Sequence, residues 1–174
     1  MAQNLKIKRF FSEFTRQADV TPYTAQDAVG STSSGTTMSV LLPVHADDSL
    51  GTPIVVGGSY QIKSCKLCKS TNSTTNATFD VYLYTSGMSM TYQDNQEFGL
   101  LYANKHVRVG KVAFTLATAG TTNSTCAEQT VIDNNITFKA ASTTLSYQIV
   151  ATAAYTPGAS EKFYFEVEVM RIDD

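Results

Sequence analysis

Residues 161–172 read Glu-Lys-Phe-Tyr-Phe-Glu-Val-Glu-Val-Met-Arg-Ile. Phe163, Phe165, Val167 and Val169 fall on one face, and Lys162, Tyr164, Glu166 and Glu168 on the other. A period of two marks a half-buried strand, because successive side chains of extended backbone leave on opposite sides. Burying the apolar row contributes about 1.5–3 kcal/mol per side chain before entropy. A slip of one residue would expose all four, so the register is firm.

The same alternation recurs upstream. In residues 145–155, Leu145, Tyr147, Ile149, Ala151 and Ala153 alternate with Ser146, Gln148, Val150 and Thr152. The Pro157-Gly158 turn that follows predicts an antiparallel hairpin with the final strand. In residues 77–85, Phe79, Val81 and Leu83 oppose Asp80, Tyr82 and Tyr84. Residues 107–116 alternate until Gly110, which marks a bulge. Residues 5–15, 38–44, 60–69 and 135–140 complete a set of about eight strands, bounded by Gly, Asn, Ser and Thr clusters. The spacing predicts an all-β fold in a single domain spanning residues 1–174, an antiparallel β-sandwich of jelly-roll type.

Composition agrees with that reading. Of 174 residues, 24 are Thr and 16 Ser, while only 16% are charged. Neutral hydroxyls replace much of the usual Lys and Glu surface, and Thr suits a pleated strand through its restricted χ1. The net charge of −2 gives no electrostatic case for nucleic acid as a partner. No apolar run approaches the ~20 residues of a membrane helix, and no n-region, h-region and cleavage site of secretory type is read, so no secretory leader is expected. The expectation is therefore synthesis in the cytosol, with no membrane partner. The four Asn-X-Ser/Thr sequons, at Asn72, Asn76, Asn123 and Asn135, are what so Thr-rich a chain yields by chance.

A search for chemistry finds few converging groups. Cys65 and Cys68 are three apart on a strand, so they sit on opposite faces about 10 Å apart, beyond the ~7 Å Cα limit of a disulfide. With Cys126 and two distant histidines they do not complete a zinc site. They are expected to be free thiols. His45-Ala46-Asp47-Asp48, beside Pro43, reads as a polar turn, and Asp94-Asn95-Gln96-Glu97 lacks the ligand spacing of a calcium loop. No nucleophile elbow, P-loop or dinucleotide fingerprint occurs. The expectation is a non-enzymatic protein with no catalytic residues, no cofactor and no bound metal. Tyr82 and Tyr84 share a strand face and are the one candidate platform for stacking a sugar, with half-buried packing as the plainer reading.

Two regions are candidate contacts. Lys6, Lys8, Arg9, Phe10, Phe11 and, just beyond, Arg16 mix charge with aromatics; residues 1–14 are either a docking arm or the first core strand. Residues 86–105 are the longest irregular segment and carry Met88, Met90 and Tyr92. A segment this long covers a partner or packs over its own sandwich.

Three stretches carry a resemblance. Residues 14–30, Phe-Thr-Arg-Gln-Ala-Asp-Val-Thr-Pro-Tyr-Thr-Ala-Gln-Asp-Ala-Val-Gly, have a Thr-Arg pair followed by a Thr…Tyr…Asp-x-Val pattern. Residues 64–86 run from strand through a Ser/Thr/Asn turn into Val81-Tyr82-Leu83-Tyr84. Residues 153–161, Ala-Ala-Tyr-Thr-Pro-Gly-Ala-Ser-Glu, lead into the final strand. Together they resemble small tailed-phage virion structural proteins of the jelly-roll capsid decoration (cement) type, across nearly the whole chain. Gln17 departs from the pattern, where a Pro is common after the Thr-Arg pair. The resemblance implies a virion protein on the capsid surface, with the major capsid protein and further copies of itself (a homotrimer) as partners. A tail, fibre or baseplate component that meets host glycans is the alternative. On the docking-arm reading, removing residues 1–14 should weaken capsid attachment and leave the fold intact.

Overall fold

The computed structural model describes residues 7–31, 36, 37, 39–43, 54–85, 91–120, 124–132 and 135–173. In chain order, β1 (Ile7–Thr15), β2 (Ala28–Val29), β3 (Thr36–Thr37) and β4 (Ser39–Pro43) come first. β5 (Ser59–Lys69), β6 (Thr78–Tyr84) and β7 (Thr91–Tyr92) follow. One turn of 3-10 helix at Tyr102–Asn104 precedes β8 (Arg108–Thr115), β9 (Ala117–Thr118) and β10 (Ala127–Ile132). β11 (Thr137–Lys139), β12 (Leu145–Ala151) and β13 (Lys162–Arg171) complete the described elements.

The strands hydrogen-bond in the order β8-β6-β12-β4-β1-β13-β5-β10-β9, and every pairing among the described residues is antiparallel. β4 is the pivot of this path. Its residues 39–41 pair with β12, whereas Leu42 and Pro43 pair with β1. The chain thereby passes from one layer (β8, β6, β12) to the other (β1, β13, β5, β10). Rings from the two layers meet in the middle: Phe79 on Phe163 at 5.5 Å, Phe114 on Phe165 at 6.2 Å, Tyr147 on Phe165 at 4.9 Å. The result is an all-β antiparallel fold with two facing layers, as in a sandwich. At the far side the layers approach again, where Thr115 N–H of β8 donates to the Gln129 side chain of β10 at 2.5 Å.

The row read from the final strand holds, with Phe163, Phe165, Val167 and Val169 all at 0% exposure. Phe79, Val81 and Leu83 are equally buried opposite them. Gly110 does mark an irregularity: Leu83 pairs with Gly110 and Tyr84 with Arg108, so Val109 is the extra residue. A Cβ at Gly110 would lie 3.2 Å from the Ile136 side chain, which would have to give by a few tenths of an ångström. A second bulge was not foreseen. Ser64 pairs with Glu168 and Ile62 with Val169, leaving Lys63 over. That one extra residue lets Tyr60 and Ile62 face the same core as Cys65 and Leu67, which unbroken alternation would forbid.

Two expectations are corrected. β12 and β13 do not form a hairpin: β12 pairs with β6, β4 and β2, whereas β13 pairs with β1 and β5. The connection instead crosses between layers, which sets the two apolar rows face to face and buries both; side by side, each would still need a cover. Of the two readings of residues 1–14, the described residues 7–14 form the core strand, and the expectation that truncation leaves the fold intact is corrected. β1 pairs with β13 along its whole length and with β4 on its other side, so truncation to residue 14 removes an interior strand together with the buried Phe10.

Candidate functional site

The two layers differ in what lies outside them. All seven residues of β12 are buried, including Ser146, Gln148 and Val150, which the alternation placed outward. They are roofed by the chain itself. Ala28, Tyr92, Phe98 and Val150 form a second small core with Tyr82 at its margin. Phe98 packs 4.9 Å from both the Tyr82 and Tyr92 rings. The roof is stitched by backbone bonds: Ala28 N–H to Gln96, Phe98 N–H to Gln26, and Ala151 N–H to Asp27. Gln26 takes a left-handed φ of 81° here, held by its N–H bond to Ala151 at 2.8 Å.

The other layer, built from β1, β13, β5 and β10, turns outward a face that no other described segment covers. Arg9, Phe11 and Glu13 alternate with the inward Phe10, and Tyr164, Glu166 and Glu168 alternate with the core row of β13. Arg9 reaches Glu168 through Nε at 3.0 Å and Nη2 at 2.6 Å, and lies 3.4 Å from Glu166. Ser64 Oγ donates to the other Glu168 oxygen at 2.8 Å. Phe11 stacks on Tyr164 at 5.8 Å, and the Tyr164 hydroxyl donates to Glu166. Burial together with the Glu166 carboxylate pushes that phenol's pKa up, so it stays a donor. Lys66 pairs with Glu128 at 2.6 Å and Lys162 with Glu13 at 3.4 Å. Exposed pairs of this kind stabilise by at most about 1 kcal/mol each. Their effect is to hold long side chains flat, giving a mixed-charge face with an aromatic ridge.

One pole of the molecule holds a buried polar cluster. Arg16, the first residue beyond β1, donates to Asp94 at 2.8 Å, and both side chains are 0% exposed. It also donates to the Tyr23 hydroxyl at 2.9 Å, to the Asp19 carbonyl at 2.7 Å and to Asp19 Oδ1 at 3.0 Å. Asp94 in turn accepts from the Tyr23 hydroxyl and from Gly30 N–H at 2.9 Å. Beside it, Lys69 and Glu161 form a second fully buried pair at 3.1 Å, with Tyr155 donating to Glu161 and Thr71 accepting from Lys69. The Tyr23 and Tyr155 rings lie nearly parallel at 6.3 Å. Arg16 sits 5.2 Å from the first ring and Lys69 5.2 Å from the second. The cluster therefore runs cation, ring, ring, cation, with a carboxylate at each end. It clamps the ends of β1 and β5, the start of β13 and the roof segment. Desolvation lowers the Lys69 pKa and raises that of Tyr155.

The sequence candidates separate on this geometry. Arg9 and Phe11 lie on the open face. Lys8 is largely buried, Phe10 is in the core and Arg16 is in the clamp. Tyr92, 7% exposed, packs in the roof. For the described part of residues 86–105 that is packing over its own sandwich. Lys6, Met88, Met90 and the His45-Ala46-Asp47-Asp48 turn lie outside the described residues. Tyr82 and Tyr84 do not make an exposed platform: Tyr84 is 1% exposed and Tyr82 is covered by Phe98. Asp94, considered for calcium, is instead the counter-charge of Arg16. Among the described residues no three His, Cys, Asp or Glu side chains converge, and no helix is long and apolar enough to cross a membrane. Sequence reasoning missed the clamp. Its signal was buried-type aromatics beside isolated charges, Arg16 near Tyr23 and Tyr155 near Glu161, but nothing local paired residues 78 positions apart. No protein-family model matches the chain, and no curated protein matches it in sequence.

Proposed function

We propose that this chain is a non-enzymatic phage virion protein of jelly-roll type that decorates the outside of the capsid shell and cements it, acting as a homotrimer. The observation that carries the reading is the asymmetry of the layers: one is roofed by the chain's own Tyr92–Phe98 region, the other carries outward ion pairs and the Phe11–Tyr164 stack. A cement protein needs a stiff body and one such face. The clamp supplies the stiffness, with Arg16, Asp94, Lys69 and Glu161 all fixed inside. The three stretches quoted from the sequence support the phage assignment.

Size constrains how the face works. Four strands spaced about 4.8 Å apart and about eight residues long span about 15 by 25 Å, or about 400 Å² in projection. A stable interface takes about 800 Å² from each partner. The face supplies about half, and further contact comes from its margins or from neighbouring copies. Weak single contacts repeated over a lattice gain from avidity, which suits a protein present in many copies.

Counting copies in purified particles, with the major capsid protein as internal standard, tests the reading. Hundreds of copies in simple ratio to the capsid subunit are expected. Tens or fewer would place the chain at the tail, fibre or baseplate, and absence from particles would end the virion reading. Within the first outcome, Phe11→Lys with Tyr164→Lys should release the protein from shells while it stays folded.

A further inference from the structure

Cys126 stands beside Cys68. β5 and β10 pair so that Cys68 is opposite Glu128. Cys126 lies two residues before Glu128, and its carbonyl accepts from Ala119 N–H at 3.0 Å, so the extended ladder continues through it. Alternation then brings Cys126 and Glu128 out on one side, the side of Cys68. Ala127, between them, points into the core at 0% exposure. Both thiols are half-buried; Cys68 Sγ lies 3.8 Å from the Lys69 carbonyl and Cys126 Sγ 3.6 Å from the Ser124 hydroxyl. Cys65 is different, being buried on the core side of β5.

We infer that Cys68 and Cys126 are an oxidisable pair that closes to a disulfide, joining the interior strand β5 to the outer strand β10 across the open face. Diagonal neighbours on paired strands have Cα atoms about 7–8 Å apart, and a disulfide takes about 4.4–6.8 Å. Closure requires a shift of about 1 Å. The place that must move is suited to it, because among the described residues β10 pairs on its far side only with the two-residue β9. The reaction needs an oxidant such as a small-molecule disulfide. One protein thiolate attacks it, forming a mixed disulfide and expelling one thiolate. The second protein thiolate attacks the protein sulfur of that bond, the Sγ–Sγ bond forms and the second small thiolate leaves. The two thiol protons go to the two expelled thiolates, so the protein loses two electrons and the oxidant gains them. Burial and the neighbouring Cys126 raise the Cys68 pKa to about 11, so the reaction is slow near neutrality.

The test incubates the folded full chain with excess oxidised glutathione in mildly alkaline buffer. It is then acid-quenched, denatured and alkylated without reductant. Of the three cysteines, one is expected to alkylate, at Cys65, and a peptide map should contain a Cys68–Cys126 cross-link. Cys126→Ser should abolish that cross-link. Three alkylated thiols, stable glutathione adducts at Cys68 and Cys126 without a cross-link, or a cross-link through Cys65 would each overturn the inference. The wild-type result decides even if a variant fails to fold.

Discussion

Asp94→Ala removes the counter-charge from a guanidinium that has no access to water. Taking one partner from a buried pair costs about 3–5 kcal/mol, because the remaining charge stays desolvated. The bonds around Arg16 narrow that range. It keeps the Asp19 carbonyl at 2.7 Å and Asp19 Oδ1 at 3.0 Å, which argues for the low end. Gly30 N–H loses its acceptor, and the Tyr23 hydroxyl loses the oxygen to which it donates, at about 1–3 kcal/mol for each group left unsatisfied. We settle on about 4 kcal/mol. For a domain of this size a melting temperature moves about 2–4 °C per kcal/mol, so the loss should be about 8–16 °C. Urea unfolding and calorimetry on wild type and variant measure it, with Arg9→Ala as control. Arg9 is 52% exposed in its pair with Glu168, and its removal should cost at most about 1 kcal/mol. Arg16→Met combined with Asp94→Ala should cost less than the two single changes summed, since no lone charge is then buried. Asp94 also anchors the roof, so amides of residues 92–98 should exchange faster in Asp94→Ala. A loss within about 1 kcal/mol of the Arg9→Ala control, or strict additivity of the pair, would refute the clamp.

Three further outcomes follow from the same geometry. The Arg9 guanidinium and the Ser64 hydroxyl hold the Glu168 carboxyl below its ordinary 4.5. Its contribution is therefore present above that pH and lost as the pH falls through the lowered value. Glu168→Gln should cost under about 1 kcal/mol near neutrality and nothing in acid, read from urea midpoints across pH. Burial pushes the Cys65 thiol up to about 12, so it should resist a chromogenic disulfide in the folded protein and react only at the rate of unfolding. Deletion through Phe14 should give no cooperative thermal transition, because β1, which joins β4 to β13, is lost from the middle of the strand order; a folded, soluble product would contradict the strand order.

Alternation is local, and for the unbroken strands the sequence carried it. Side chains of extended backbone leave on opposite sides whatever the strand pairs with, so the rows of Phe163 to Val169 and Phe79 to Leu83 were legible residue by residue. The irregularity at Gly110 was legible too, because a missing side chain interrupts the pattern. The bulge at Lys63 was not. Lys63 and Ser64 are both plausible on an outer face, and the extra residue shows only against the β13 register. Partners are a non-local matter. β12 and β13 adjoin in sequence and carry matching patterns, yet their apolar rows are buried by facing each other across the core. The open face was partly legible, through Arg9 and Phe11. Its complement was not, since the roof places Tyr92 and Phe98 against Val150 and Tyr82 from three distant segments. The same holds for charge. Arg16 reads as a candidate contact and Asp94 as part of a polar loop until folding withdraws both from water, and a desolvated charge is stable only beside its opposite. What the sequence determined by itself was most of the longer strands and the inner rows of β6 and β13; β10 was not read from it. The tertiary structure alone decided which face stayed open, which charges were locked away, and which thiols became neighbours, because each depends on segments meeting across the core or the sheet.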